Sequence, residues 1–95
     1  MTAACTETPR HCAVRFLVEA DSSPGLLPRL LQPFAKRDLT PDRIWSTKIG
    51  ETMQIGITLN AVDTDIVHVI EGNLRQVIGV RALTRAQTDN LRAVA

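Results

Sequence analysis

The sequence predicts an α+β sandwich with the element order βαββαβ, a four-stranded antiparallel sheet carrying two helices on one face. Three observations carry that expectation. Residues 12 to 19 and 53 to 59 alternate apolar with polar side chains at the period of a half-buried strand. Residues 26 to 35 repeat apolar side chains at helical spacing, and Gly50-Glu51 separates two alternating runs in the manner of a two-residue hairpin loop. With 95 residues, the chain suits one hydrophobic core rather than two.

The first strand sets Cys12, Val14, Phe16 and Val18 against Ala13, Arg15, Leu17 and Glu19. Asp21-Ser22-Ser23-Pro24-Gly25 then combines helix-capping residues with a proline suited to a first helical turn. Leu26, Leu30 and Phe34 form one row of the helix that follows, and Leu27, Leu31 and Ala35 form the next, together a face wide enough to cover a sheet. Pro28 and Pro33 oppose this helix at roughly 3 kcal/mol for an interior position, so distortion is expected, most of all at Pro33.

Residues 38 to 42 read as a turn, and residues 43 to 49 as a second strand around Ile44, Trp45 and Ile49. Beyond the Gly50-Glu51 loop, Met53, Ile55, Ile57 and Leu59 mark the third strand. Asp63 and Asp65 supply caps and negative charge to a second helix with Ile66, Val67, Ile70 and Leu74 on one face. The last strand is expected over residues 77 to 84, with Ile78, Val80 and Ala82 opposite Val77, Gly79 and Arg81. The resulting organisation is a leader over 1 to 10, a domain over 11 to 84, and a polar tail over 85 to 95 that is helical or disordered. The element order is that of the ferredoxin-like split βαβ sandwich, whose two right-handed crossovers leave one sheet face uncovered. Arg15, Leu17 and Glu19 belong to that open face, where exposed apolar positions invite a partner.

Composition narrows the function. Hydrophobic residues make up 44% and charged residues 22%, ordinary globular usage, and the short apolar runs include neither a membrane span nor a signal core, so a cytosolic location is expected. A net charge of +1 with interspersed signs lacks the basic footprint of nucleic-acid binding, and Phe16, Phe34 and Trp45 are too few aromatics for an RNA-reading sheet. Cys5, His11 and Cys12 match no standard zinc spacing, and the first loop lacks the Cys-x-x-Cys of a metallochaperone, so neither metal nor cofactor is expected. Cys12 reads as a small hydrophobe, His68 as a partly exposed or hydrogen-bonded helix histidine rather than a catalytic base, and Asp63 and Asp65 as caps rather than an acid pair.

The stretch Val18-Glu19-Ala20-Asp21-Ser22-Ser23-Pro24-Gly25-Leu26-Leu27-Pro28-Arg29-Leu30-Leu31, followed by Phe34-Ala35-Lys36-Arg37, resembles the ACT-domain signature of strand, polar turn, Pro-Gly-Leu-Leu and a helix ending in a basic pair. Within that family it is most similar to the small regulatory subunits of acetolactate synthase, which serve branched-chain amino acid biosynthesis. The resemblance covers about residues 12 to 84 and implies a non-catalytic homodimer that binds a small amino acid effector, a catalytic large subunit, or both. It places the effector between the turn and the second-strand region of the neighbouring chain, which carries over Asp21, Ser22, Ser23, Gly25, Leu26 and Thr40. Asp21 would take the ligand ammonium, the serines would orient its carboxylate, and Gly25 and the first-turn N–H groups would let it approach the backbone. Those subunits present asparagines where this chain has Ser22 and Thr40, and a glycine and an aromatic where it has Asp38-Leu39, so valine sensing and pocket shape are the points of departure.

Two other readings stand beside this one. An acylphosphatase-like enzyme would need an arginine beside an anion-binding turn, and Arg15 and Arg29 are the candidates. A dimerisation module without a ligand would use the turn only as a strand-to-helix connection.

Overall fold

The computed structural model describes residues 11 to 89. Strand β1 (His11–Asp21) leads to helix α1 (Leu26–Lys36), strands β2 (Arg43–Ile49) and β3 (Thr52–Asp63), helix α2 (Thr64–Arg75) and strand β4 (Val80–Asp89). The sheet is antiparallel throughout in the order β2-β3-β1-β4, so β1 and β3 are its centre. This is the expected ferredoxin-like βαββαβ sandwich.

One core serves all elements. Cys12, Val14, Phe16, Val18 and Ala20 line one side of β1, Ile55, Ile57 and Leu59 continue it on β3, and Leu26, Leu30 and Phe34 of α1 with Val67, Ile70 and Leu74 of α2 close over it. Phe16 and Phe34 meet edge to face with ring centroids 6.3 Å apart at 65°, a favoured geometry for two aromatic quadrupoles. The alternation of β1 translates directly into burial, since every even-numbered residue from Cys12 to Ala20 is buried.

Helix α1 runs unbroken from Leu26 to Lys36 with Pro33 inside it. Pro28 falls in the first turn, where no intrahelical donor is needed, and Pro33 is itself buried, so its packing offsets the lost bond. The second apolar row joins the core only in part: Leu27 is half-buried and packs against it, while Leu31 and Ala35 are exposed, so the buried stripe is narrower than expected. At its C-terminus, Leu39 N–H donates to Phe34 O and Asp38 N–H to Ala35 O, with Asp38 at φ 56°. That is a Schellman turn with aspartate in the left-handed position usually given to glycine, closed by Leu39 packing against the core.

Ile49 pairs with Thr52 across Gly50-Glu51, and Gly50 has φ 63°, as a Gly-first hairpin requires. Asp63 caps α2 by accepting from Asp65 N–H at 2.9 Å, confirming its capping role. His68 is exposed with its Nδ1 3.3 Å from Arg85 Nη1.

The last strand differs most from expectation. Residues 76 to 79 form a turn rather than its beginning, Ile78 is 77% exposed, and β4 starts at Val80 and continues to Asp89. Gly79 explains the shift: at φ 102° it turns the chain before pairing begins, so the alternation over 77 to 79 is not that of a strand. The leader over 1 to 10, with Cys5, lies outside the described residues; of the tail expected over 85 to 95, residues 85 to 89 are strand, paired with β1, rather than helix or disorder, and the rest lie outside the described residues. Among the described residues no helix is long and apolar enough to cross a membrane.

Candidate functional site

The end of the sheet where β1 terminates gathers three segments that are distant in sequence. Asp21 N–H donates to Gly79 O and Ser22 N–H to Glu51 O, both at 2.9 Å, so the turn after β1 is tied to the approach to β4 and to the β2–β3 hairpin. A bulge lies between the Glu19–Ala82 and Ala20–Val80 pairs, leaving Arg81 as the extra residue of β4. Bulges re-aim side chains. Here Arg81 Nε comes to 2.7 Å from Asp21 Oδ1.

A shallow cavity of about 460 Å³ is lined by Asp21, Ser22, Lys48, Gly50, Glu51 and Arg81. It holds two carboxylates and two cations. Asp21 and Arg81 form an exposed pair, while Glu51 and Lys48 have no ion-pair partner among the described residues. The hydroxyls of Ser22 and Ser23 make no hydrogen bond to another described residue. Charges of both signs around one open cavity suit a zwitterion, whose ammonium and carboxylate need opposite partners a few ångströms apart.

The sequence-derived positions divide. Asp21 and Ser22 line the cavity, and Ser23, with Pro24, is exposed on the adjoining turn. Gly25 is the N-cap of α1 at φ −91° without a side-chain cap, so it relieves no left-handed strain. A Cβ there would instead lie 3.4 Å from the Arg29 guanidinium, so what approaches this backbone is Arg29. Leu26 is fully buried, and its side chain serves the core; its N–H donates to Ser23 O. Pro28 has no N–H and Arg29 N–H closes on Gly25 O, which leaves the Leu27 amide of the first turn. Thr40 is not brought to this cluster. Its neighbour Asp42 donates its N–H to Thr58 O, and Thr58 pairs with Arg15, six residues back along β1, or ~20 Å at strand rise. Only a second chain could add Thr40 to the turn.

Lys48, Glu51 and Arg81 are the site residues that sequence reasoning missed. The hairpin reading contained the signal for two of them, because pairing Ile49 with Thr52 sets Lys48 and Glu51 at the sheet end, and β3 pairing next to β1 sets Thr52 beside Asp21. The bulge that turns Arg81 has no such mark. The two arginines considered for an enzyme also separate: Arg29 lies at the turn, whereas Arg15 lies on the open sheet face opposite Thr58. Among the described residues no three histidine, cysteine or carboxylate side chains cluster as a metal site would require.

A model of the ACT-like domain family matches residues 6–92, and the chain belongs to that family. Domains of this family are regulatory modules that bind amino acids. Among solved structures, the chain is similar to the ACT domain of the GTP pyrophosphokinase of Chlorobium tepidum, with a TM-score of 0.69 at 16% identity over 80% of this chain and 99% of that one. It is also similar to the regulatory subunit of aspartate kinase from Thermus thermophilus, with a TM-score of 0.60 at 21% identity over 80% of this chain and 50% of that one. A homoserine dehydrogenase from Thiobacillus denitrificans gives 0.69 at 15% identity over 81% of this chain but 17% of its own. These likenesses are of fold. No curated protein matches the sequence.

Proposed function

We propose that this chain is a non-catalytic regulatory module whose effector is a small amino acid, bound at the sheet end formed by Asp21, Ser22, Lys48, Glu51 and Arg81. The observation that carries the reading is the convergence of two carboxylates and two cations on one open cavity beside the turn that bears the family motif. Asp21 and Glu51 are placed to take an ammonium, and Arg81 and Lys48 a carboxylate. Ser23 and the Leu27 amide edge the same turn, and Gly25 with Leu26 builds its backbone. Thr40 enters if a neighbouring chain in a homodimer offers its second-strand region, which is the arrangement the family resemblance implies. Regulation then follows from differential affinity: an effector bound at a dimer contact stabilises one arrangement over another, typically by about 1 to 3 kcal/mol.

The finer reading is a small subunit of acetolactate synthase, acting in the cytoplasm on a catalytic large subunit in branched-chain amino acid biosynthesis. The Pro24-Gly25-Leu26-Leu27 motif and its basic-ended helix support it. The Asp21–Arg81 pair favours a second reading, because a carboxylate already engaged by its own chain also suits a structural module without a ligand. A thermal-shift screen against the twenty amino acids separates the two, since a ligand that binds only the folded state raises the melting temperature. A rise with valine, leucine or isoleucine, lost in Asp21→Asn, supports the sensor. No rise at millimolar concentration with any amino acid rejects it and leaves the ligand-free module.

A further inference from the structure

The uncovered sheet face has an organisation that the effector site does not use. The row Trp45, Gly56, Leu17 and Thr84 crosses its middle, one residue from each strand. On one side lies the row Arg43, Thr58, Arg15 and Ala86; on the other, the row Thr47, Gln54, Glu19 and Ala82. The indole of Trp45 lies over Gly56, where a Cβ would overlap the ring, and with Leu17, Ala82 and Thr84 it borders a shallow cavity of about 270 Å³. Leu17 is 37% and Trp45 39% exposed, large apolar side chains in the middle of a face with nothing over them. None of Arg15, Arg43 and Glu19 has an ion-pair partner among the described residues.

An apolar centre with charges on its rim is the anatomy of a protein interface. The arrangement of those charges selects the occupant. Cations lie one row to one side of the Trp45–Leu17 row and the carboxylate one row to the other. A two-fold axis lying along the central row, in the plane between two sheets, reverses the strand direction while keeping each strand over its counterpart. It therefore sets Arg15 over Glu19 of the second copy, Arg43 over Thr47 of the second copy, and Trp45 and Leu17 over their own equivalents. The face is complementary to itself in that one orientation; a two-fold parallel to the strands would set Arg15 over Thr58 and Glu19 over Gln54 if it ran through the sheet centre, or each over its own equivalent if it ran along β1, and neither pairs opposite charges. Four strands ~4.8 Å apart and about ten residues at ~3.3 Å each offer on the order of 600 to 800 Å² of accessible surface per copy. That is about what a standard interface of roughly 1,200 to 2,000 Å² in total requires. Aligned sheets pack ~10 Å apart with strands within about 30° of each other, which keeps the opposed charges in reach.

We propose that the open sheet face docks a second copy of this chain, sheet on sheet and with strands antiparallel, through Trp45 and Leu17 at the centre and reciprocal Arg15–Glu19 pairs at the rim. The contact is separate from the Asp21–Gly25 turn and does not depend on the effector reading. It joins two chains by their faces and leaves the β2 edge free for another neighbour.

The 95-residue chain carries its own reporter, because Trp45 is its only tryptophan. Emission and sedimentation are followed over a dilution series for the wild type, Arg15→Glu, Glu19→Arg and the double exchange Arg15→Glu/Glu19→Arg. Both positions are exposed strand sites, and far-UV circular dichroism checks that each variant folds. The contact predicts that each single change raises the dissociation constant at least tenfold with red-shifted emission, and that the double exchange returns it to within about threefold of wild type. Singles that leave mass and emission unchanged overturn the proposal, as does a double variant that associates no better than the singles. Association that persists in every variant while emission stays insensitive to dilution assigns the dimer to a strand edge and likewise overturns it.

Discussion

The indole of Trp45 lies across Gly56, its partner on the neighbouring strand, so closely that a methyl group at position 56 would occupy the ring's place. Glycine inside a central strand costs roughly 0.5 to 1 kcal/mol relative to alanine. Here it lets an edge-strand tryptophan lie down over the sheet instead of standing into solvent.

Gly56→Ala is therefore expected to lift the indole from the sheet. Improved strand propensity and lost ring packing oppose each other, so stability should move by no more than about 1 kcal/mol while the environment of the ring changes strongly. Tryptophan emission should shift to the red and acrylamide quenching should rise. Unchanged emission would show that the ring does not depend on this glycine.

Asp38 holds a left-handed conformation that suits glycine better, even though aspartate tolerates it more readily than most residues. Asp38→Gly should stabilise the Schellman turn by about 0.5 kcal/mol, the relief of backbone strain being partly offset by greater freedom in the unfolded chain. For a domain of this size that is a rise of roughly 2 to 4 °C in melting temperature. A fall would mean that the carboxylate makes a contribution the backbone geometry does not contain.

Two sets of ion pairs should behave differently. Glu71 binds Arg75 at 2.9 Å and Arg85 at 2.8 Å, and the Glu71 and Arg85 side chains are 18% and 28% exposed. Asp21 and Arg81 are 53% and 66% exposed. Glu71→Gln removes the charge shared by two arginines and should cost about 1 to 2 kcal/mol in urea unfolding, whereas Asp21→Asn should cost at most about 0.5 to 1 kcal/mol. The second change is thus a clean probe of binding. A large loss of stability in Asp21→Asn would make its carboxylate structural.

Phe34→Ala empties the centre of the core opposite Phe16 and should cost about 3 to 5 kcal/mol. Leu31→Ala, on the same helix but outside the core, should cost less than about 1 kcal/mol. Equal costs would mean that the apolar row of Leu27, Leu31 and Ala35 is covered in solution by something else.

The difference between Phe34 and Leu31 also shows where sequence reading ends. Helical periodicity identifies apolar rows, but it takes the crossing of helix and sheet to decide which row is buried. The hairpin at Gly50-Glu51, the alternation of β1 and β3 and the Asp63 cap were legible because each is decided within a few residues. The start of β4 was not, because Val77, Ile78 and Val80 look like a strand until Gly79 is seen to turn the chain. The candidate site was half legible. Asp21 and Ser22 stand in a local motif, but Lys48, Glu51 and Arg81 reach them through sheet order and a bulge. Thr40 belongs to the opposite end of the sheet, and a linear motif could not reveal that.

The most direct test of the central claim is a two-dimensional ¹H–¹⁵N correlation spectrum of the full chain titrated in turn with valine, leucine and isoleucine. Binding at the proposed site predicts saturable shifts for one of them concentrated at residues 21 to 25, 48 to 51 and 79 to 81, abolished in Asp21→Asn. Spectra that stay unperturbed at millimolar ligand, or shifts confined to the face around Leu17 and Trp45, would contradict it.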